Sequence, residues 1–311
     1  MKPIKPNLIV ILGPTASGKT KLAAQLAYTL QTDIISADSR QVYKYMNIGT
    51  GKDYDDYVVN NQTINYHLLD IIEPGQKYNV SLFMQDFFTA FNQLNQQGKT
   101  PILCGGTGLY IQAVLSNFEY ANVPINEVLR MELINQTHQN LITHFNHLPQ
   151  NAYTQKADLS THKRTIRAIE IAEYITTNSY TPPNNPTIIP LIIGINPTIK
   201  LRNARIDFRL AQRLQQGMIE EVEMLLQKGV THHDLVYYGL EYKFISEYLR
   251  NMISLTELEN KLGIAIHQYA KRQMTYFRKM EKDGFTINWI DGELTTKQQA
   301  EIAMQIIGQA Q

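Results

Sequence analysis

The chain has 311 residues, with 29 Lys and Arg against 28 Asp and Glu, a formal charge of +1. Hydrophobic residues make up 43% and charged residues 18%, which excludes a disordered polyelectrolyte and suits a globular core. A single cysteine, Cys104, excludes an intrachain disulfide framework and a thiolate zinc cluster. No apolar run approaches the ~20 residues that span a bilayer. Leu8–Leu12 is also shorter than the roughly 7–15 residue core of a secretion signal, so no membrane partner and a cytoplasmic location are expected.

Residues 7–12, Asn-Leu-Ile-Val-Ile-Leu, form a short β-branched run that fits a buried parallel strand. It breaks into Gly13-Pro14-Thr15-Ala16-Ser17-Gly18-Lys19-Thr20, after which Leu22, Ala23, Leu26, Ala27 and Leu30 recur at helical spacing. A second strand covers 33–37 and stops at Asp38. An amphipathic helix over 79–94 is marked by Val80, Phe83, Phe87, Phe91 and Leu94, and Gly98 ends it. Residues 101–104 supply another strand opening into Gly105-Gly-Thr-Gly108. From about 118 to 186 the strand-like runs give way to mixed polar and helical sequence, closing in the Pro/Asn-rich stretch 181–186. The sheet resumes at 190–195, helical stretches follow at 198–227 and 256–282, and 285–290 reads as a last strand. The expected fold is α/β, a parallel sheet covered by helices on both faces and resembling the phosphate-loop NTPases. Its core comprises 1–117 and 187–311, and a helical insertion fills 118–186.

Gly13-x-x-x-x-Gly18-Lys19-Thr20 is a phosphate loop in its expected strand–loop–helix setting. Its backbone N–H groups point at phosphate oxygens, the helix adds the positive end of its dipole, and Lys19 neutralises terminal phosphates. The Thr20 hydroxyl is placed to bind Mg²⁺. A polyphosphate or pyrophosphate is therefore bound, although the loop leaves open whether phosphorus is the atom attacked. Asp38, just past a strand C-terminus, faces the ligand crevice. It is a candidate Mg²⁺ ligand, a general base, or a cap on the next helix. Gln41 carries an amide that can pair with an adenine edge.

Arg202, Arg205, Arg209 and Arg213 line one helix face beside Ile206, Leu210 and Leu214, with no acid three or four residues away. Two further basic clusters, His162-Lys163-Arg164 with Arg167, and Lys271-Arg272 with Arg278, Lys279 and Lys282, indicate segregated positive charge suited to a phosphate-rich polymer. Tyr237 and Tyr238 are either packing residues or stacking platforms for a base. His138, His144 and His147 have untidy spacing for a metal site, His232-His233-Asp234 reads as a turn, and Cys104 reads as core.

An ordered set of motifs runs through the chain. They are 13–20 above, Ile-Ser-Ala-Asp-Ser-Arg-Gln-Val-Tyr (35–43), Asn-Ile-Gly-Thr-Gly-Lys (47–52) and His-Leu-Leu-Asp-Ile (67–71). Gly-Gly-Thr-Gly-Leu-Tyr-Ile (105–111), Lys-Arg-Thr-Ile-Arg-Ala-Ile-Glu (163–170) and Ala-Lys-Arg-Gln-Met-Thr-Tyr-Phe-Arg (270–278) complete it. The set resembles the tRNA dimethylallyltransferases, also called tRNA isopentenyltransferases, over nearly the whole chain.

That resemblance implies transfer of a dimethylallyl group from dimethylallyl pyrophosphate to N6 of the adenine 3′-adjacent to the anticodon. The acceptors are tRNAs reading codons that begin with U, and pyrophosphate is released. It implies that residues 13–20 hold the pyrophosphate, with Mg²⁺ at Thr20, and that Asp38 is the general base. Thr107 and Arg209 complete the catalytic set, Arg209 by steadying the leaving group. The anticodon stem-loop of tRNA would be held by Asp38, Ser39, Arg40, Gln41, Thr107, Arg130, Lys163, Arg164, Thr165, Ile166 and Arg167. A monomer is expected. The chain departs from the family pattern in three places: Tyr238-Gly-Leu-Glu-Tyr-Lys243 has two extra residues, the insertion lacks Asp-Pro and His-Pro-Asn-Asp landmarks, and Gly-Thr-Ala-Lys-Pro is replaced by Gly49-Thr50-Gly51-Lys52-Asp53. A small-molecule kinase, a nucleic-acid-binding NTPase switch and a prenyltransferase acting on free adenine nucleotides share parts of this pattern. The insertion and the basic patches favour tRNA.

Overall fold

The structure is a computed structural model that describes residues 5–310. Contacts divide the chain into two compact units, residues 1–117 with 186–311, and residues 118–185.

In the larger unit the chain opens with strand β1 (Leu8–Leu12), helix α1 (Lys19–Leu30) and strand β2 (Ile34–Ser36). A 3₁₀ turn at Tyr54–Tyr57 leads into the small antiparallel pair β3 (Val58–Val59) and β4 (Gln62–Thr63), and then strand β5 (Tyr66–His67). Helix α2 (Val80–Gln96), capped by the Asn79 side chain, precedes strand β6 (Ile102–Gly105) and helix α3 (Gly108–Leu115). The smaller unit holds helices α4 (Glu127–Leu133), α5 (His138–His147) and α6 (His162–Thr177). The larger unit then resumes with strand β7 (Pro190–Asn196), helix α7 (Ile199–Gln215) and helix α8 (Met218–Gln227). Helices α9 (His232–Tyr238), α10 (Leu240–Leu249) and α11 (Leu255–Lys282), strand β8 (Ile287–Asp291) and helix α12 (Thr296–Gln309) complete it.

Six strands form one parallel sheet in the order β5-β2-β6-β1-β7-β8. Every residue of β1 is buried, which explains its unbroken apolar run. Alternate side chains point to opposite faces. Ile9, Ile11, Ile34, Ile102, Ile193 and Ile195 pack with Leu22, Leu26 and Ala27 of α1 and with Ala303 and Ile307 of α12. Leu8, Val10, Leu12 and Leu103 are equally buried on the opposite side, where the fold places α2, α3 and α11. The aromatic face of α2 is tied to α3 by the stack of Phe83 on Tyr110, with ring centroids 4.3 Å apart.

In the smaller unit Leu133, Leu141, Phe145, Ile166, Ile169 and Ala172 form a separate core. Its centre includes a charge, since the buried Glu170 carboxylate accepts from Arg130 Nε and Nη2, both at 3.0 Å, and from Arg167. Arg167 also donates to the Val123 carbonyl at 2.7 Å. A buried carboxylate is tolerated because two guanidiniums and the Asn126 N–H satisfy it.

Several elements differ from the sequence reading. The stretch 198–227 is two helices, because the chain turns at Gln216-Gly217. His232-His233-Asp234 is not a turn but the first turn of α9, fixed by a reciprocal capping box between Thr231 and Asp234. Helices α10 and α12 and the β3–β4 pair carried no assignment. Helix α12 presents only a narrow apolar stripe among glutamines, and α9 is too short to show a period.

Phe87 is fully buried in α2 and its ring contacts Phe88 and Phe91. Phe87→Ala is expected to lower stability by about 3–5 kcal/mol, read from the urea midpoint at unchanged m-value.

Candidate active site

A parallel sheet delivers its chemistry where strands end and loops begin. The loops after β1, β2 and β6 meet in a cavity of about 460 Å³. Thr15, Ala16, Gly18, Lys19 and Thr20 line it from the phosphate loop, and Asp38, Ser39, Arg40 and Gln41 from the turn after β2. Arg209 and Arg213 enter from α7, Glu241 from α10, and Tyr269 and Gln273 from α11. Residues 13–20, Asp38–Gln41 and Arg209 thus converge, although Gly13, Pro14 and Ser17 stand behind the lining rather than in it.

The turn after β2 is built around Asp38. Its Oδ1 accepts from Arg40 N at 2.9 Å and more weakly from Gln41 N at 3.4 Å, while Oδ2 receives no hydrogen bond among the described residues. No helix directly follows Asp38, so it closes a turn where a helix cap was expected, and one carboxylate oxygen is left unengaged among the described residues. Thr107 Oγ1 accepts from Ser39 N at 3.1 Å, and Thr107 N donates to the Ala37 carbonyl at 3.2 Å. Thr107 therefore joins the β2 and β6 loops from behind the cavity wall. Gln41 Nε2 donates to the carbonyls of Thr50 at 3.3 Å and Gly51 at 3.1 Å. Both donors of the amide are thereby engaged, and Oε1 remains as an acceptor. Arg40 turns towards α9, donating to the Tyr237 carbonyl with its guanidinium 5.3 Å from the Tyr237 ring centroid. Tyr238 is a packing residue, buried with its hydroxyl accepting from Gly75 N.

Lys19 faces the cavity with burial pulling its ammonium below the usual value, an effect that Cys104 and Asp38 oppose. Its Nζ reaches the Pro14 carbonyl only at 3.4 Å. Buried Ser17 Oγ has no hydrogen-bond partner. Burial also lowers Arg209, and neighbouring Arg213 adds to the effect. Lys19 and Arg209 beside the N-terminus of α1 are complementary to a polyphosphate, although Asp53 pairs with Arg209. Thr20 supplies a hard oxygen ligand at the cavity wall. No cluster of three or more His, Cys, Asp or Glu is present among the described residues. Such a donor set fits Mg²⁺, which keeps several waters and is commonly shared with substrate phosphates.

Three further residues hold this geometry and were not found from the sequence. Gln273 of α11 accepts from Thr15 N at 2.8 Å and donates to the Gly106 carbonyl at 2.9 Å, clamping two loops together. It lies inside the 270–278 motif, the one signal that pointed to it. Glu221 of α8 accepts from the N–H groups of Asn47, Ile48 and Gly49 at 2.7, 2.7 and 3.1 Å, and from Tyr242 Oη at 2.8 Å. Glu241, in the segment with two extra residues, lies in the cavity, where burial pushes its carboxyl up to about 7 against the pull of Arg213.

In the smaller unit the residues marked for RNA divide in two. Lys163 and Arg164 are exposed, with Arg164 3.0 Å from Asp158. Thr165 and Ile166 point inward, the threonine hydroxyl donating to the carbonyls of Leu159 and Thr161 and the isoleucine joining the core. Arg130 and Arg167 are bound to Glu170, as described. The histidines declined as metal ligands have ordinary partners, His138 with the Leu159 carbonyl, His144 with Glu173 and His147 with the Thr143 carbonyl. Cys104 is buried, its thiol pushed up to about 12 by burial.

A parallel α/β sheet with a phosphate loop and a cavity lined by Lys19, Arg209 and Arg213 marks the class of protein suited to a polyphosphate or pyrophosphate ligand. The comparisons with known proteins narrow this class. The family model for IPP transferase matches residues 41–280. The chain is 49% identical to tRNA dimethylallyltransferase 2 of Phocaeicola vulgatus, covering 97% of this chain and 98% of that one. It is 50% identical to tRNA dimethylallyltransferase 1 of Parabacteroides distasonis, covering 97% of each. Among solved structures, the tRNA isopentenylpyrophosphate transferase of Bacillus halodurans superposes with a TM-score of 0.70 at 27% identity over 98% of both chains. The chain belongs to the IPP transferase family.

Removing the Glu221 carboxylate leaves three N–H groups without their acceptor. Glu221→Ala is expected to cost about 3 kcal/mol in urea unfolding. Glu241 has a folded value near 7 against an ordinary 4.5, so the fold favours its neutral form. Its contribution to stability is complete below about 4.5 and is lost as pH rises through 7. Thermal unfolding should therefore show Glu241→Gln gaining on the wild-type chain between pH 4.5 and 7.5. A constant difference across that range would refute the shift.

Proposed function

We propose that this member of the family transfers a dimethylallyl group from dimethylallyl pyrophosphate to N6 of the adenine immediately 3′ of the anticodon in tRNA. The observation that carries the site assignment is the convergence of the phosphate loop, Arg209 and Asp38 on one cavity. The adenine amine is a weak nucleophile because its lone pair is delocalised into the ring. The allylic carbon compensates, since its C–O bond can ionise towards a resonance-stabilised cation. The bond between N6 and that carbon forms as the C–O bond breaks, and the electron pair stays on the departing oxygen.

Stabilising that charge is the main task of the site. The N–H groups of residues 13–20, Lys19 and Arg209 bind the pyrophosphate. Mg²⁺, held by Thr20 together with the phosphates, would supply further charge neutralisation when bound. Asp38 accepts the N6 proton through the oxygen that its own turn does not engage. Gln41 offers Oε1, an acceptor suited to the second N6–H of an adenine extruded from its stack at a cost of about a few kcal/mol. Thr107 acts by fixing Ser39 and the Asp38 turn. Lys163 and Arg164 supply RNA backbone contacts, whereas Arg130, Thr165, Ile166 and Arg167 shape the unit that presents them. Action as a monomer in the cytoplasm completes the reading.

Single-turnover prenylation with separate tRNA titrations tests these roles. Asp38→Ala is expected to lower the transfer rate by about 10²–10⁴-fold at nearly unchanged tRNA affinity. Lys163→Ala and Arg164→Ala should weaken tRNA binding, more so at low salt, with the rate at saturation retained. An Asp38→Ala enzyme with full activity would remove the general base from the account.

A further inference from the structure

The Asp53 carboxylate accepts from Arg209 and lies 3.4 Å from Arg213 Nη2. These are the two arginines that α7 turns into the cavity, one helical turn apart. The same three side chains border both that cavity and the adjoining groove beyond Gly18. Asp53 thus borders the groove that Gly18 of the phosphate loop also lines.

Two local features make the contact a built one. Gly51 lies against the Arg213 guanidinium, so that a Cβ at this position would overlap Nη2, and its φ of +69° is one that L side chains rarely adopt. The lack of a side chain at Gly51 therefore makes room for the arginine that Asp53 pairs. The supporting loop is rigid as well. Lys52 has a fully buried side chain that bonds the Tyr43 carbonyl, Asn47 and Asp70, and Glu221 holds the N–H groups of residues 47–49. Asp53 is delivered to the arginines by a fixed backbone.

We propose that Asp53 is an internal competitor for the pyrophosphate, occupying Arg209 and Arg213 when the site is free and speeding release of the product. This rests on the functional reading above. The donors that bind Asp53 are those a diphosphate needs, so each bound diphosphate must displace or share the carboxylate. Breaking the C–O bond leaves its electron pair on oxygen, so pyrophosphate carries one more formal negative charge than the prenyl ester. Repulsion by Asp53 consequently falls harder on product than on substrate. An enzyme with this carboxylate holds its substrate somewhat less tightly and clears its product faster.

Calorimetric titration with pyrophosphate and Mg²⁺ tests this on the wild-type chain, Asp53→Asn and Asp53→Glu. Pyrophosphate inhibition of tRNA prenylation is measured alongside. Asp53→Asn is expected to bind pyrophosphate about tenfold more tightly, with a smaller fall in KM for dimethylallyl pyrophosphate and a lower steady-state kcat. Asp53→Glu, which restores the charge, should return towards wild-type affinity, as a merely structural role would not require. Affinity unchanged or weakened in Asp53→Asn overturns the proposal, as does a wild-type chain that binds no pyrophosphate. A wild-type chain that binds pyrophosphate but prenylates no tRNA overturns the functional reading instead.

Discussion

One buried amide holds the two halves of the site in register. Gln273 accepts from the phosphate loop at Thr15 and donates to the turn after β6 at Gly106, and its buried position removes competing water. In the proposed reaction the phosphate loop fixes where the leaving group sits. The turn after β6 fixes Thr107, which fixes Ser39 and hence the turn that carries Asp38. A displacement of α11 would therefore move Asp38 relative to the phosphate loop. Distances at that level decide catalysis, since small misplacements of reacting groups cost orders of magnitude in rate.

A second support works on the opposite wall. Glu221 and Lys52 are buried ionic groups whose partners come mainly from the loop 43–52 and from Asp70 and Tyr242. Buried charges are retained at a cost unless every group is satisfied, and both of these are well satisfied. Their product is a loop stiff enough to pin the Gln41 amide on one side and to carry Asp53 to the arginines on the other. The positions of Gln41 and of the Asp53–arginine contact thus depend on the same short segment.

Much of the framework was legible because buried parallel strands announce themselves. Strands β1, β2, β6 and β7 are continuous apolar runs, and the phosphate loop follows the first of them directly. The family resemblance then marked Asp38 and Arg209, which lie 171 residues apart yet line one cavity. What escaped are the residues that act through distant partners. Gln273 reaches across 258 positions and Glu221 across more than 170, and no spacing rule reports such contacts. Charge counting missed an ion pair in a different way. Arg167 was grouped with a basic patch and Arg130 came from the family resemblance, but Glu170, three residues after Arg167 and inside the same motif, binds both. An i,i+3 acid was the available clue. The arginines of α7 reversed that case, because their partner Asp53 lies far earlier in the chain.

The central claim is that the cavity joins an extruded tRNA adenine to an allylic pyrophosphate. Mass-spectrometric nucleoside analysis tests it most directly, with unmodified tRNA, dimethylallyl pyrophosphate and Mg²⁺, and with AMP as acceptor or ATP as cosubstrate in parallel. The account predicts N6-prenylated adenosine in the tRNA digest and none on AMP. Product on AMP, or ATP turnover without prenyl transfer, would contradict it.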